Sequence, residues 1–251
     1  MGTLNVNRNG LVLELALANP GKANALDLEM LATLDEQVAR VQADESIRVV
    51  VLRGTVGGTF SSGADIRQWA PMTPEAFGRD WLAHGNTIFR RFERLRCPTI
   101  AAIEGLCFGG GLELALCADL RIASDAARLR FPEVTIGAFP GWEGGPRLAR
   151  IAGRGRALEA VLTAREIDAD TARQWGVLNA VFPRDGFDAG LAEWTAQLAG
   201  VSPRAAALAK QAIVGDVDSE SFHAAAGAEL KASPDAEIGL RAFLDKRPAR
   251  F

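Results

Sequence analysis

Short apolar runs alternate along the chain with amphipathic stretches. Leu11 to Leu17 reads as a strand, and Asn19-Pro20-Gly21 breaks it. Asp27 stands where a helix N-cap belongs. Leu28, Leu31, Leu34 and Val38 then recur on one face of a helix running to about Ala43. Arg48 to Arg53 holds an unbroken apolar run between two arginines, the pattern of a strand covered on both faces. Gly54 to Ser62 is a loop rich in Gly, Thr and Ser. Thr73-Pro74-Glu75 opens a long helix reaching about Arg94, and Cys97-Pro98 ends it. Thr99 to Ile103 is a further buried strand, followed by Gly105 and by Gly109-Gly110-Gly111. Leu112 to Ala118 reads as a helix and Asp119 to Ala123 as a strand.

This order predicts α/β layers joined by right-handed crossovers. After about residue 185 the strand pattern stops. Residues 187 to 251 read as helices divided at Ser202-Pro203 and Ser233-Pro234, each pair an N-cap followed by Pro at the first helical position. The expected division is a core over residues 1–190 and a helical region over residues 191–251, whose apolar faces suit packing on a partner subunit.

Composition narrows the function classes. The 251 residues are 48% hydrophobic and 24% charged, ordinary for a globular protein. A net charge of -3 gives the whole chain no electrostatic support for nucleic-acid binding. No apolar run has the length of a membrane span. The start shows no charged-then-apolar signal pattern, and after Met1-Gly2 the residue Val6 stands where a myristoylation signal needs Ser or Thr. Cys97, Cys107 and Cys117 form no Cys-x-x-Cys pair, and His84 and His223 are the two histidines, so a metal site is poorly supplied. Scattered thiols of this kind suit a reducing compartment, and a cytoplasmic location is expected.

Three motif readings fail. Gly109-x-Gly111 and Gly153-x-Gly155 lack the third small residue of a dinucleotide fingerprint, since Leu114 and Leu158 stand there. No phosphate-binding Gly-x-x-x-x-Gly-Lys-Ser/Thr is present. Thr59-Phe60-Ser61-Ser62-Gly63 lacks the first glycine of a nucleophile elbow, and neither histidine is placed to serve a serine.

Two segments hold up better. Phe60-Ser-Ser-Gly-Ala-Asp-Ile66 follows one buried strand. Ile103-Glu-Gly-Leu-Cys-Phe-Gly-Gly-Gly-Leu-Glu113 follows another and opens a helix. Small residues let another molecule approach the main chain, and a helix start leaves N–H groups unpaired. On adjacent loops the two segments would aim two N–H groups at one developing negative oxygen. Either segment alone is also what a tight strand-to-helix turn requires.

With these segments the chain resembles the enoyl-CoA hydratase/isomerase family, also called the crotonase family. The likeness extends over Pro20 to Leu26, Phe60 to Ile66, Gly105 to Glu113, Cys117 to Ala123, Phe131 to Gly137, Pro140 to Leu148 and Ala242 to Arg247. The resemblance implies an α/β fold, a spiral of ββα turns with a helical C-terminal region. It implies an acyl-CoA substrate and no cofactor, coenzyme A being part of the substrate. It implies no metal, no nucleic acid and no membrane, and assembly as a homotrimer or a hexamer of paired trimers. Residues 191–251 would be the trimerisation region. The oxyanion donors would be the backbone N–H groups of Ala64 and Gly110, and the catalytic acids Glu113 and Glu133. Lys22 and Arg67 would lie near the coenzyme A phosphates, and main-chain groups of Ala64, Asp65, Ile66 and Arg67 would line the adenine and pantetheine path.

Hydration of an α,β-unsaturated thioester explains why two glutamates are needed. Water loses a proton as it attacks the β-carbon, and the α-carbon gains one. One ionised and one protonated carboxyl group flanking the water do both, and a shared desolvated site favours that split. The expectation is Glu113 as base and Glu133 as acid, with the reverse or a shared arrangement left open. Glu113 in a first helical turn and Glu133 after Pro132 also suit purely structural roles. An isomerase, acyl-CoA hydrolase or decarboxylase of the same family is the alternative, followed by a non-catalytic binder of acyl-CoA or RNA. The chain departs from the family pattern at Pro140-Gly141-Trp142-Glu143-Gly144-Gly145, which brings a bulky residue and an extra carboxylate toward the expected acyl pocket. Ser62 before Gly63, and Pro146 near a helix start, are smaller departures.

Overall fold

The structure, a computed structural model, describes residues 2–55, 58–215 and 219–251. Val56 and Gly57 of the expected 54–62 loop, residues 216–218 of the helical region, and Met1 lie outside the described residues.

The chain opens with β1 (Thr3–Asn9) and β2 (Val12–Ala18), an antiparallel hairpin turned at Gly10, whose φ of 59° suits glycine. β1 was not expected, because its polar side chains are mostly exposed. Asp27 caps α1 (Leu28–Ala43) by accepting a 2.9 Å bond from the Met30 N–H, and the apolar face read from the sequence is buried. β3 (Val49–Gly54) follows, then a short α2 (Ile66–Trp69). The long helix expected from residue 74 is composite. α3 (Pro74–Ala76) passes through a π-helical stretch, Phe77–Ala83, into α4 (His84–Glu93). β4 (Thr99–Ile103), β5 (Leu106–Phe108) and α5 (Gly110–Ala115) come next, followed by β6 (Leu120–Ser124) and β7 (Arg128–Arg130). Then come α6 (Gly144–Ala152), α7 (Arg154–Thr163), β8 (Ile167–Asp168), α8 (Ala169–Gln174) and β9 (Ala180–Phe182).

The main sheet has the order β1-β2-β3-β4-β6-β9, parallel from β2 onward. A smaller sheet has the order β5-β7-β8, and Ser61 bridges to Cys107 beside it. Each turn of the chain thus gives a strand to the main sheet and an extended segment to the small one. Alternation decides the cores. Val50, Leu52, Ala101 and Ile103 enter the larger core, while Val49, Val51, Ile100 and Ala102 enter a second one. That second core is covered by α9 (Phe187–Ala199) through Phe187 and Leu191. Residues 190 and 191 both lie within this helix.

The remaining helices are α10 (Pro203–Val214), α11 (Ser219–Lys231) and α12 (Pro234–Leu244). Ser202 and Ser233 cap α10 and α12, each followed by Pro in the first turn as expected. Ile213, Phe243 and Leu244 stand largely exposed. Among the described residues no helix is long and apolar enough to cross a membrane.

Candidate active site

The site forms where the two sheets hand their chains to helices. Leu26 and Ala64 form an isolated parallel bridge, with bonds of 2.7 Å from the Leu26 N–H to the Gly63 oxygen and 2.8 Å from the Asp65 N–H to the Leu26 oxygen. The Ser61 oxygen accepts from the Phe108 N–H at 2.9 Å. These bonds place the 61–65 segment against the start of α5. A Cβ built on Gly110 would lie 3.4 Å from the Ala64 nitrogen, and one built on Gly63 would lie 3.6 Å from the Gly110 nitrogen. Neither the Ala64 nor the Gly110 N–H donates to another group among the described residues. Two free donors therefore sit side by side.

Glu113 is buried one helical turn into α5. Its Oε1 accepts two backbone bonds from one turn, 2.8 Å from the Trp142 N–H and 2.9 Å from the Gly144 N–H. Burial pushes its pKa up to about 8. The two N–H bonds act in the opposite sense, and the neighbouring Glu133 charge adds to the rise. Glu133 opens a short 3-10 turn, Glu133–Ile136. Its Oε1 lies against Gly109, where a Cβ would come within 2.8 Å, and the φ of 49° at Gly109 also calls for glycine. Its Oε2 is buried without a hydrogen-bond partner. Burial pushes Glu133 up to about 7. Both carboxyl groups are thus held well above the usual carboxylate range, so each keeps a proton to higher pH than a free glutamate does.

Both glutamates line a cavity of about 100 Å³ that also takes in Ala64 and Gly110. Its walls are apolar, from Trp69, Phe77, Trp81 and Leu82 on one side and Ile136, Phe139 and Trp142 on the others. The 69–82 aromatics were not singled out from the sequence. The available signal was three bulky aromatics in thirteen residues beside the Phe60–Ile66 segment. The π-helical stretch that carries Phe77, Trp81 and Leu82 is the kind of helix irregularity often found at functional sites.

The remaining expected site residues divide. Ile66 lines the cavity mouth and is exposed. Asp65 is buried, caps α2 through the Arg67 N–H, and pairs with Lys22. Arg67 is exposed on the same edge. The Ser62 hydroxyl donates to the Lys22 oxygen at 2.9 Å, tying this edge to the early loop. Trp142 lines the cavity, but Glu143 does not. The expectation that Glu143 faces the acyl pocket is corrected here. Its carboxylate turns away to pair with Arg90 and, at 3.4 Å, with Arg147, and these arginines hold its pKa below the usual carboxylate value. The turn reverses direction at Glu143, where φ is 66°, so residues 142 and 143 point to opposite sides. Arg147 is itself buried and donates to the Trp142 oxygen at 2.6 Å, holding the turn that holds Glu113. All three cysteines are buried free thiols, and burial pushes each pKa up.

The family model described as enoyl-CoA hydratase/isomerase matches residues 7–251. A short-chain-enoyl-CoA hydratase of Clostridium acetobutylicum is 34% identical, over 96% of this chain and 94% of its own. A crotonyl-CoA hydratase of Syntrophomonas wolfei is 35% identical, over 94% and 93%. The crystal structure of an enoyl-CoA hydratase from Bacillus anthracis superposes with a TM-score of 0.93 at 32% identity, covering 99% of this chain and 98% of that one.

Proposed function

Since the chain belongs to the enoyl-CoA hydratase/isomerase family, we propose that it is a hydro-lyase adding water across the 2,3 double bond of an acyl-CoA thioester. The observation that carries this reading is the meeting of two buried carboxyl groups, both held above the usual carboxylate range, with two unpaired N–H groups in one apolar cavity.

The thioester oxygen sits between the Ala64 and Gly110 N–H groups, which stabilise it as the enolate develops. Water lies between Glu113 and Glu133. Glu113 takes its proton as it attacks the β-carbon, and Glu133 gives a proton to the α-carbon. Two N–H bonds favour the ionised form of Glu113, and the unpartnered Oε2 of Glu133 suits a protonated oxygen. Burial alone would order the pair the other way, so the proton belongs to the pair. No cofactor enters this scheme. The coenzyme A moiety leaves the cavity along Ala64 to Arg67, with Lys22 and Arg67 serving its phosphates. Pairing with Asp65 partly neutralises Lys22, so Arg67 carries the larger share.

The enzyme works in the cytoplasm as a homotrimer or a pair of trimers. The buried reduced thiols support the first statement. The exposed Ile213, Phe243 and Leu244 of the C-terminal helices support the second, as faces suited to a partner. The test follows both absorbance and mass on a panel of trans-2-enoyl-CoAs. Loss of the enoyl-thioester band with gain of one water is expected. Isomerisation, loss of carbon dioxide or no change across the panel would contradict the proposal.

A further inference from the structure

The cavity beside the glutamates is small, about 100 Å³. A dry cavity of about 150 Å³ takes up benzene. The space here is smaller than that, which suits a short acyl tail better than a ring or a long chain.

One wall of this space is unusually fixed. Trp142 is 2% exposed, and its indole packs against Trp81 at 5.3 Å and Phe89 at 5.1 Å between ring centroids. Its Nε1–H donates to the Trp81 oxygen at 3.2 Å. It also fills ground that two glycines leave open. A Cβ on Gly85 would lie 2.3 Å from Trp142 Nε1, and a Cβ on Gly110 would lie 2.6 Å from Trp142 Cζ3. The backbone is held as well, through Glu113 on the N–H and Arg147 on the carbonyl. A side chain packed on every side has no other rotamer to move into. The indole edge thus stands against Gly110, next to the proposed oxyanion donors, where an acyl chain running past the β-carbon would go.

We propose that Trp142, backed by Trp81, sets the substrate class by limiting the acyl group to a short linear chain, so that medium-chain and aryl thioesters are excluded. This rests on the assignment of the cavity as the acyl site. Trp142 acts here by exclusion, since it takes no proton and its backbone bond to Glu113 survives substitution.

The test is a ladder of four-, six-, eight- and ten-carbon trans-2-enoyl-CoAs plus cinnamoyl-CoA, turned over by the wild type, Trp142→Leu and Trp81→Leu. Binding of butyryl-CoA and octanoyl-CoA is measured beside it by calorimetry. A hydrophobic pocket discriminates by roughly tenfold or more per methylene it cannot take. The wild type is therefore expected to lose at least about tenfold in kcat/KM from four to eight carbons. Trp142→Leu is expected to shift that ratio toward the longer chain by about tenfold or more. A flat or rising wild-type ladder overturns the proposal, as does an unchanged ratio in a folded variant. Should Trp142→Leu not fold, Trp81→Leu and the wild-type ladder decide. If no enoyl-CoA turns over but butyryl-CoA still binds more tightly than octanoyl-CoA, hydration is wrong and the size limit stands. Equal binding removes the size limit.

Discussion

Glu113 and Glu133 reach one cavity from contrasting backbones. Glu113 grows from a helix, is buried, and is gripped through Oε1 by two N–H groups of the 142–144 turn. Glu133 grows from a single 3-10 turn, and its Oε2 has no partner. Burial raises both pKa values; two N–H groups of a distant turn oppose the rise at Glu113, and only its own backbone N–H opposes it at Glu133. On the proposed mechanism, this difference gives two identical side chains separate tasks. One is fixed as an acceptor, and the other is left with an oxygen on which a proton can rest.

The harshest way to break this contrast is to remove each carboxylate. Glu113→Gln and Glu133→Gln are each expected to lower kcat by about 10² to 10⁴-fold, the usual reach of general acid–base catalysis. The double variant should be little worse than the more damaged single one, because the groups act as a unit. Steady-state hydration kinetics check this. Additive losses would show two independent roles.

Next in size is the support behind Glu113. Arg147 is buried, bonds Glu93 at 3.0 Å, and pins the Trp142 carbonyl. Arg147→Met leaves Glu93 and Glu143 without this cation and is expected to cost about 3 kcal/mol in denaturant unfolding. It should also lower kcat more than it changes KM, because the turn it holds grips Glu113. Glu143→Ala is expected to do much less. Its ion pairs are partly exposed, worth under about 1 kcal/mol, and its carboxylate faces away from the cavity. A loss of activity comparable to that of Glu113→Gln would restore Glu143 as a catalytic group.

The subtlest consequence is on stability. Both glutamates bind protons more tightly in the folded chain than an ordinary glutamate with a pKa of 4.5. The folded state therefore holds more protons than the unfolded one above that value. Stability should fall as pH rises from about 4.5 through 7 and 8. Chemical denaturation of the wild type across this range should show the decline, and the two Gln variants should flatten it.

Much of the fold was legible in the sequence because local patterns carry it. Asp27, Ser202 and Ser233 cap helices within three residues of their partners, and the buried runs at 49–54 and 99–103 need no long-range knowledge. The loops bearing Ala64 and Gly110 stood out locally as small-residue turns, and the family resemblance is what singled out their N–H groups and the two glutamates. What escaped depends on distant pairs. Arg90 claims Glu143 from 53 residues away, and Trp81 meets Trp142 from 61. No periodicity reports such encounters. β1 escaped for the opposite reason. As an edge strand it pairs by its backbone and shows mostly polar side chains.

The central claim is that one proton is shared between Glu113 and Glu133, and the pH dependence of kcat/KM for a short trans-2-enoyl-CoA tests it most directly. A bell is expected, falling below about 7 as both groups become protonated and above about 8 as both ionise. In Glu133→Gln the residual activity should keep only the acid limb, because the group whose ionisation ends activity at high pH is gone. A profile flat from pH 6 to 9, or a bell unchanged in that variant, would contradict the shared proton.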